Sequence, residues 1–157
     1  PSIQSLSPGI IGFRSHKDIW NMKAERLELP EDASRFEFTT IHFGAALGLA
    51  AAIDEINEMG IQNVWKHDIE LTNLLIDESL KCGLEIASPT NESERSAIVS
   101  LKIPAEFDTE EIVKRLQNEY GILATNRSGF LRISPHIDND SEQIIFLLDS
   151  LKAILKL

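Results

Sequence analysis

The chain has 157 residues, 43% of them hydrophobic, with a formal net charge of −10. That length suits one ordinary domain, and the apolar content supports a core and excludes disorder. The acidity argues against nucleic acid or an anionic membrane as partner, because both need clustered Lys and Arg. One cysteine, Cys82, rules out an internal disulfide and fits a reducing, cytoplasmic setting. No signal peptide and no apolar run near the length of a membrane span is visible.

Residues 1–42 hold no sustained period of 3.6 or 2. They are broken by Pro1, Pro8, Gly9, Gly12 and Pro30, yet carry Phe13, Trp20, Phe36 and Phe38. An irregular segment this long and this apolar is unusual in a self-contained domain. It either folds over the domain's own core or packs on something outside this chain. Arg35 and Glu37 would share a side if extended, where a structural ion pair is the expectation.

Phe43 to Met59 predicts a helix closed by Gly60. Its centre, Ala45 to Ile53, is apolar and small all round, which predicts burial on more than one side. Gln62 to Cys82 predicts a second helix, with Val64, Leu71, Leu74, Leu75 and Leu80 in its stripe. Leu84 to Ala87 suits a short strand. Ser96 to Ile103 alternates, with Ala97, Val99, Leu101 and Ile103 on one face. Asp108 with Glu111 has the form of a capping box for a helix whose face is Ile112, Val113, Leu116 and Tyr120. Ile122 to Thr125 and Gly129 to Ser134 read as a hairpin turning on Asn126-Arg127-Ser128. Asn139 or Asp140 then caps a last helix with Ile144, Leu147, Leu148, Leu151, Ile154 and Leu155 inside. From residue 84 the order β-β-α-β-β-α predicts an α+β layer: a small antiparallel sheet covered by helices on one face.

The stretch GFLRISPH, Gly129 to His136, places a charged Arg132 inside a short apolar strand. Alternation sends Leu131 and Ile133 one way and Phe130, Arg132 and Ser134 the other. A guanidinium keeps its charge, so Arg132 needs an acidic partner, water or an anionic ligand. On the residues alone, a salt bridge or an exposed sheet face serves as well as a binding site.

Three stretches carry a resemblance. GFLRISPHIDNDSEQIIFLLDSL resembles the closing segment of the class V pyridoxal-phosphate (PLP) enzymes, the aminotransferase, cysteine desulfurase and isopenicillin N epimerase group. RFEFTTIHFGAALGLAAAIDEI is similar to the stretch in that group that opens a small-residue helix, and GFRSHKD is similar to a turn further upstream. The order is right, and with GIQNVWKHDIELTNLL and RSAIVSLKI between them the resemblance spans nearly the whole chain. The resemblance implies that Arg132 grips the α-carboxylate of an amino-acid substrate. It implies that Thr40, with Thr39 beside it, contacts the PLP phosphate, typically from a neighbouring subunit, in a homo-oligomer. His136, Asn139 and Arg127 fall within the same motifs; for His136 loop shaping and for Arg127 an exposed turn position are equally open. His42 stands where the group has asparagine, and Thr39 where it has glycine.

The same resemblance implies that this is the C-terminal small domain of such an enzyme. Residues 1–42 would pack on a large domain, and 43–157 would form the small domain. The group's Schiff-base lysine has no match here. Lys17, in SHKD, belongs to the turn instead. Alone, the chain is therefore expected to be inactive, and PLP to bind only with the large domain. Cys82, at a helix end, reads as structural rather than nucleophilic, and His16, His42, His67 and His136 lack metal-ligand spacing. The other reading is a stand-alone binding or oligomerising domain that kept the fold and lost the cofactor. It predicts Arg132 locked in an internal salt bridge.

Overall fold

The computed structural model describes residues 3–23, 25–91 and 93–157. They form two compact units, one running through Asp54 and one of Glu55–Leu157. Each is described on its own.

The first unit has three short 3-10 turns, Ile3–Ser5, Phe13–Ser15 and Ala33–Phe36. The second and third of these pack together. Gly12 permits this contact. A Cβ there would lie 1.8 Å from the Phe38 carbonyl oxygen. Helix α1, Phe43–Met59, begins in this unit and buries no residue. Leu47, Leu49 and Ile53, expected inside, are exposed in this chain.

The second unit is the predicted α+β layer. Helix α2 (Ile61–Lys81) leads to strands β1 (Glu85–Ile86) and β2 (Val99–Lys102). Helix α3 (Thr109–Tyr120), strands β3 (Thr125–Arg127) and β4 (Phe130–Ile133), and helix α4 (Ser141–Leu155) follow. The four strands form one antiparallel sheet in the order β1-β2-β4-β3. Val99, Leu101, Leu131 and Ile133 all point to one face, where α2, α3 and α4 close the core. Leu75, Leu101, Leu116, Leu131 and Leu151 are wholly buried there. Burying each such side chain contributes about 1.5–3 kcal/mol. All six residues of the stripe predicted for α4 are buried.

Four local expectations are corrected. The β2 strand is shorter than Ser96 to Ile103, because only Val99–Lys102 has neighbours to pair with. Leu80 is exposed, and Ile76 takes its place inside α2's stripe. The Asp108 carboxylate caps α3 by accepting from the Glu110 amide. The hairpin turns on Ser128-Gly129 rather than on 126–128. Both turn residues have positive φ, 53° and 88°, as a two-residue turn matched to strand twist requires. Arg127 is consequently the last residue of β3, paired with Phe130.

Candidate functional site

Register determines the surroundings of Arg132. On β2 it faces Ser100, and on β3 it faces Thr125. One pair along, Phe130 faces Lys102 and Arg127. These side chains share the sheet face turned away from the helices. Lys102 is paired with Glu85 at 2.9 Å. Among the described residues neither Arg132 nor Arg127 has an ion-pair partner. Arg132 is half-buried. Its Nε donates to Ser134 Oγ at 3.4 Å, a long and weak bond. The outer fork of the guanidinium is left for an anion, on the helix-free face of an otherwise acidic chain.

The loop after β4 is tied to α2. His136 Nδ1 lies 2.8 Å from Asp68 Oδ2. The His136 amide donates to Asn139 Oδ1, and the Asn139 amide donates to the His136 carbonyl. His67 Nε2 meets the Asn139 carbonyl at 3.0 Å. Asn139 Nδ2 donates to Gln143, while Asp140 accepts from the Gln143 amide and so caps α4. In this chain His136 and Asn139 therefore build the loop. Asp68 is buried, and among the described residues its Oδ1 has no hydrogen-bond partner. It lines a cavity of about 440 Å³ with Ile61, Gln62, Val64, Trp65 and His136. The sequence reading missed Asp68 and His67. An acid at the helical spacing of Val64, Leu71 and Leu75 was the available signal.

In the first unit the stretches GFRS and RFEFTT are fastened together. The Gly12 amide donates to Ser15 Oγ, which donates to the Glu37 carbonyl at 2.7 Å. Arg14 pairs with Glu37 at 2.7 Å. The ion pair expected between Arg35 and Glu37 is thus replaced, and Arg35 Nε is buried with no partner among the described residues. Thr39 and Thr40 are exposed, just before α1. His42 Nδ1 accepts from the Ala45 amide at 2.9 Å and caps the helix. An imidazole thus fills the capping role open to asparagine.

These residues fit parts of a PLP site. Two exposed hydroxyls beside the first turn of a 17-residue helix suit a phosphate. Arg132 suits a carboxylate. Lys17 is exposed and held by Glu28 at 3.2 Å. Among the described residues no cluster of His, Cys, Asp and Glu could hold a metal ion, and no helix is long and apolar enough to cross a membrane.

The family profile "Aminotransferase class-V" matches residues 17–145. The chain is 26% identical, over 96% of its length, to the "Probable cysteine desulfurase" of Pyrococcus abyssi, and covers 40% of that protein. It is 30% identical to the protein of the same description from Streptomyces coelicolor, over 68% of this chain and 30% of the relative. Among solved structures it is similar to the apo cysteine desulfurase of Thermococcus onnurineus NA1. The TM-score is 0.80 at 22% identity, covering 95% of this chain and 39% of that one. It also superposes on the cystine C-S lyase C-DES, solved with its product cysteine persulfide, with a TM-score of 0.79. A further C-DES structure carries glycine linked to the PLP cofactor. This chain thus spans about two fifths of the length of the Pyrococcus and Thermococcus proteins. The chain belongs to the class V aminotransferase family, whose cofactor is pyridoxal 5′-phosphate.

Proposed function

We propose that this chain is the small-domain part of a PLP-dependent enzyme acting on an amino acid, and that Arg132 holds the substrate's α-carboxylate. The observation that carries this reading is Arg132 itself: a half-buried guanidinium on the open sheet face, with no acid within pairing distance among the described residues. A stand-alone domain of the same fold would be expected to neutralise that charge internally. When bound, pyridoxal phosphate supplies the electron sink for bonds at Cα. Arg132 orients the substrate. Its planar fork makes two charge-assisted hydrogen bonds to a carboxylate and fixes its plane, which sets which Cα bond stands ready to break.

Thr40, helped by Thr39, is proposed to receive the cofactor phosphate beside α1, from the neighbouring subunit of a homo-oligomer. Residues 1–42 and the exposed apolar side of α1 are proposed to pack on a large domain that supplies the cofactor-bearing lysine. The coverage of about two fifths of the relatives' length supports that division. The chain alone is expected to be inactive. Its one cysteine, free Cys82, supports a cytoplasmic setting. Cysteine as substrate is favoured by the desulfurase relatives.

The test is Arg132→Lys in the full-length enzyme. It keeps the charge but removes the fork. Turnover of the amino acid should fall about tenfold to a hundredfold while Tm stays within a few degrees. Unchanged turnover would remove Arg132 from the site.

A further inference from the structure

We propose that Asp68 is a positioning residue for Arg132, acting through His136; this deepens the reading of Arg132 as the carboxylate site and rests on it. Arg132 lies one residue from the end of β4. Beyond Ile133 the chain leaves the sheet, so Ser134, the hydrogen-bond partner of the guanidinium, takes its place from the loop and not from a strand. What holds that loop is α2. Its consecutive residues His67 and Asp68 meet the Asn139 carbonyl and the His136 ring. His136 and Asn139 are closed on each other by two bonds: the His136 amide donates to Asn139 Oδ1, and the Asn139 amide donates to the His136 carbonyl.

The chemistry of the anchor is unusual for a scaffold. Asp68 is 94% buried by its 6% exposure. Among the described residues its Oδ1 has no partner, and its Oδ2 has the His136 ring. Keeping a carboxylate there costs desolvation that one imidazole bond offsets only in part. A leucine in that stripe would pack α2 as well. What a leucine could not do is fix the ring, and through the ring the 134–139 loop. Local conflict between stability and sequence is expected where a site is being held in place. The consequence for Arg132 is directional. With Ser134 held, its hydroxyl biases the guanidinium toward one lie on the open face; with the loop loose, that bias is lost.

The experiment compares variants of the full-length protein on two readouts. The first is the ratio of kcat/KM for an L-amino acid to that for its decarboxylated amine, which reports carboxylate recognition alone. The second is amide hydrogen exchange across residues 130–139, which needs no activity. Asp68→Ala should lower the ratio about tenfold and speed exchange in the loop. Asp68→Asn keeps an oxygen for the His136 ring and should restore most of both. His136→Ala changes no residue of α2, though it leaves Asp68 unpaired, and should match Asp68→Ala; Asp68→Asn, which keeps the size of the side chain, covers the case in which either variant misfolds. A loosened loop with an unchanged ratio in Asp68→Ala or His136→Ala, while Arg132→Lys collapses the ratio, overturns the positioning role alone. An unchanged ratio in Arg132→Lys overturns the carboxylate reading and this inference with it.

Discussion

Gly12→Ala isolates the contact that joins the two motifs of the first unit. The added Cβ would stand 1.8 Å from the Phe38 carbonyl oxygen and 2.7 Å from its carbon, where real Cβ contacts stay beyond 3.0 Å. The obstacle is backbone, so no side chain can rotate clear, and the turn must retreat by more than 1 Å. Overpacking of this kind costs about 1–3 kcal/mol. Retreat also stretches the bonds of Ser15 Oγ to the Gly12 amide and the Glu37 carbonyl, each worth about 1 kcal/mol. A total of about 3–5 kcal/mol is expected. Gly12 has φ of −131°, so the loss would come from space and not from backbone strain. Gly9→Ala is the control, since nothing lies within 4 Å of its Cβ position. Denaturant titration, with hydrogen exchange over residues 12–16 and 36–39, should show Gly12→Ala loosening both segments together and Gly9→Ala within about 0.5 kcal/mol of wild type. A Gly12→Ala protein as stable as the control would refute the docking of these two turns.

Three other outcomes follow from the same geometry. Gly129→Ala, at φ 88° in the hairpin turn, should cost about 1–2 kcal/mol in chemical denaturation. Glu119 is held below its ordinary carboxylate pKa, first by its hydrogen bond from Arg115. A lowered folded-state pKa stabilises above the unfolded value and is lost as pH falls through the folded one. Glu119→Gln should therefore lower stability slightly at neutral and alkaline pH, flatten the acid limb of a stability–pH curve, and leave the most acidic region unmoved. Thr40→Ala should weaken PLP retention by the full assembly, measured as cofactor released on gel filtration; equal retention removes Thr40 from the site.

Much of the second unit is legible from local pattern. The alternation around Arg132 assigned Leu131 and Ile133 to the core, and the 3.6 period of α4 named its buried stripe. Both depend only on side-chain direction along one element. Where the reading failed, the deciding contact was remote. Glu37 chose Arg14 over its near neighbour Arg35 because the GFRS turn folds onto it. Asp68 pairs with a histidine 68 residues away, which periodicity cannot see. The hairpin turn falls on Ser128-Gly129 rather than on 126–128 because Ser128 accepts a positive φ that composition alone did not announce. The apolar centre of α1, predicted to be buried on more than one side, is exposed in this chain.

The most direct measurement is a crystal structure of the full-length protein with its amino-acid substrate bound. The account predicts both carboxylate oxygens within hydrogen-bond distance of the Arg132 guanidinium, on the sheet face shared with Ser100 and Thr125. A carboxylate held elsewhere, with Arg132 paired to an acid of the protein, would contradict it.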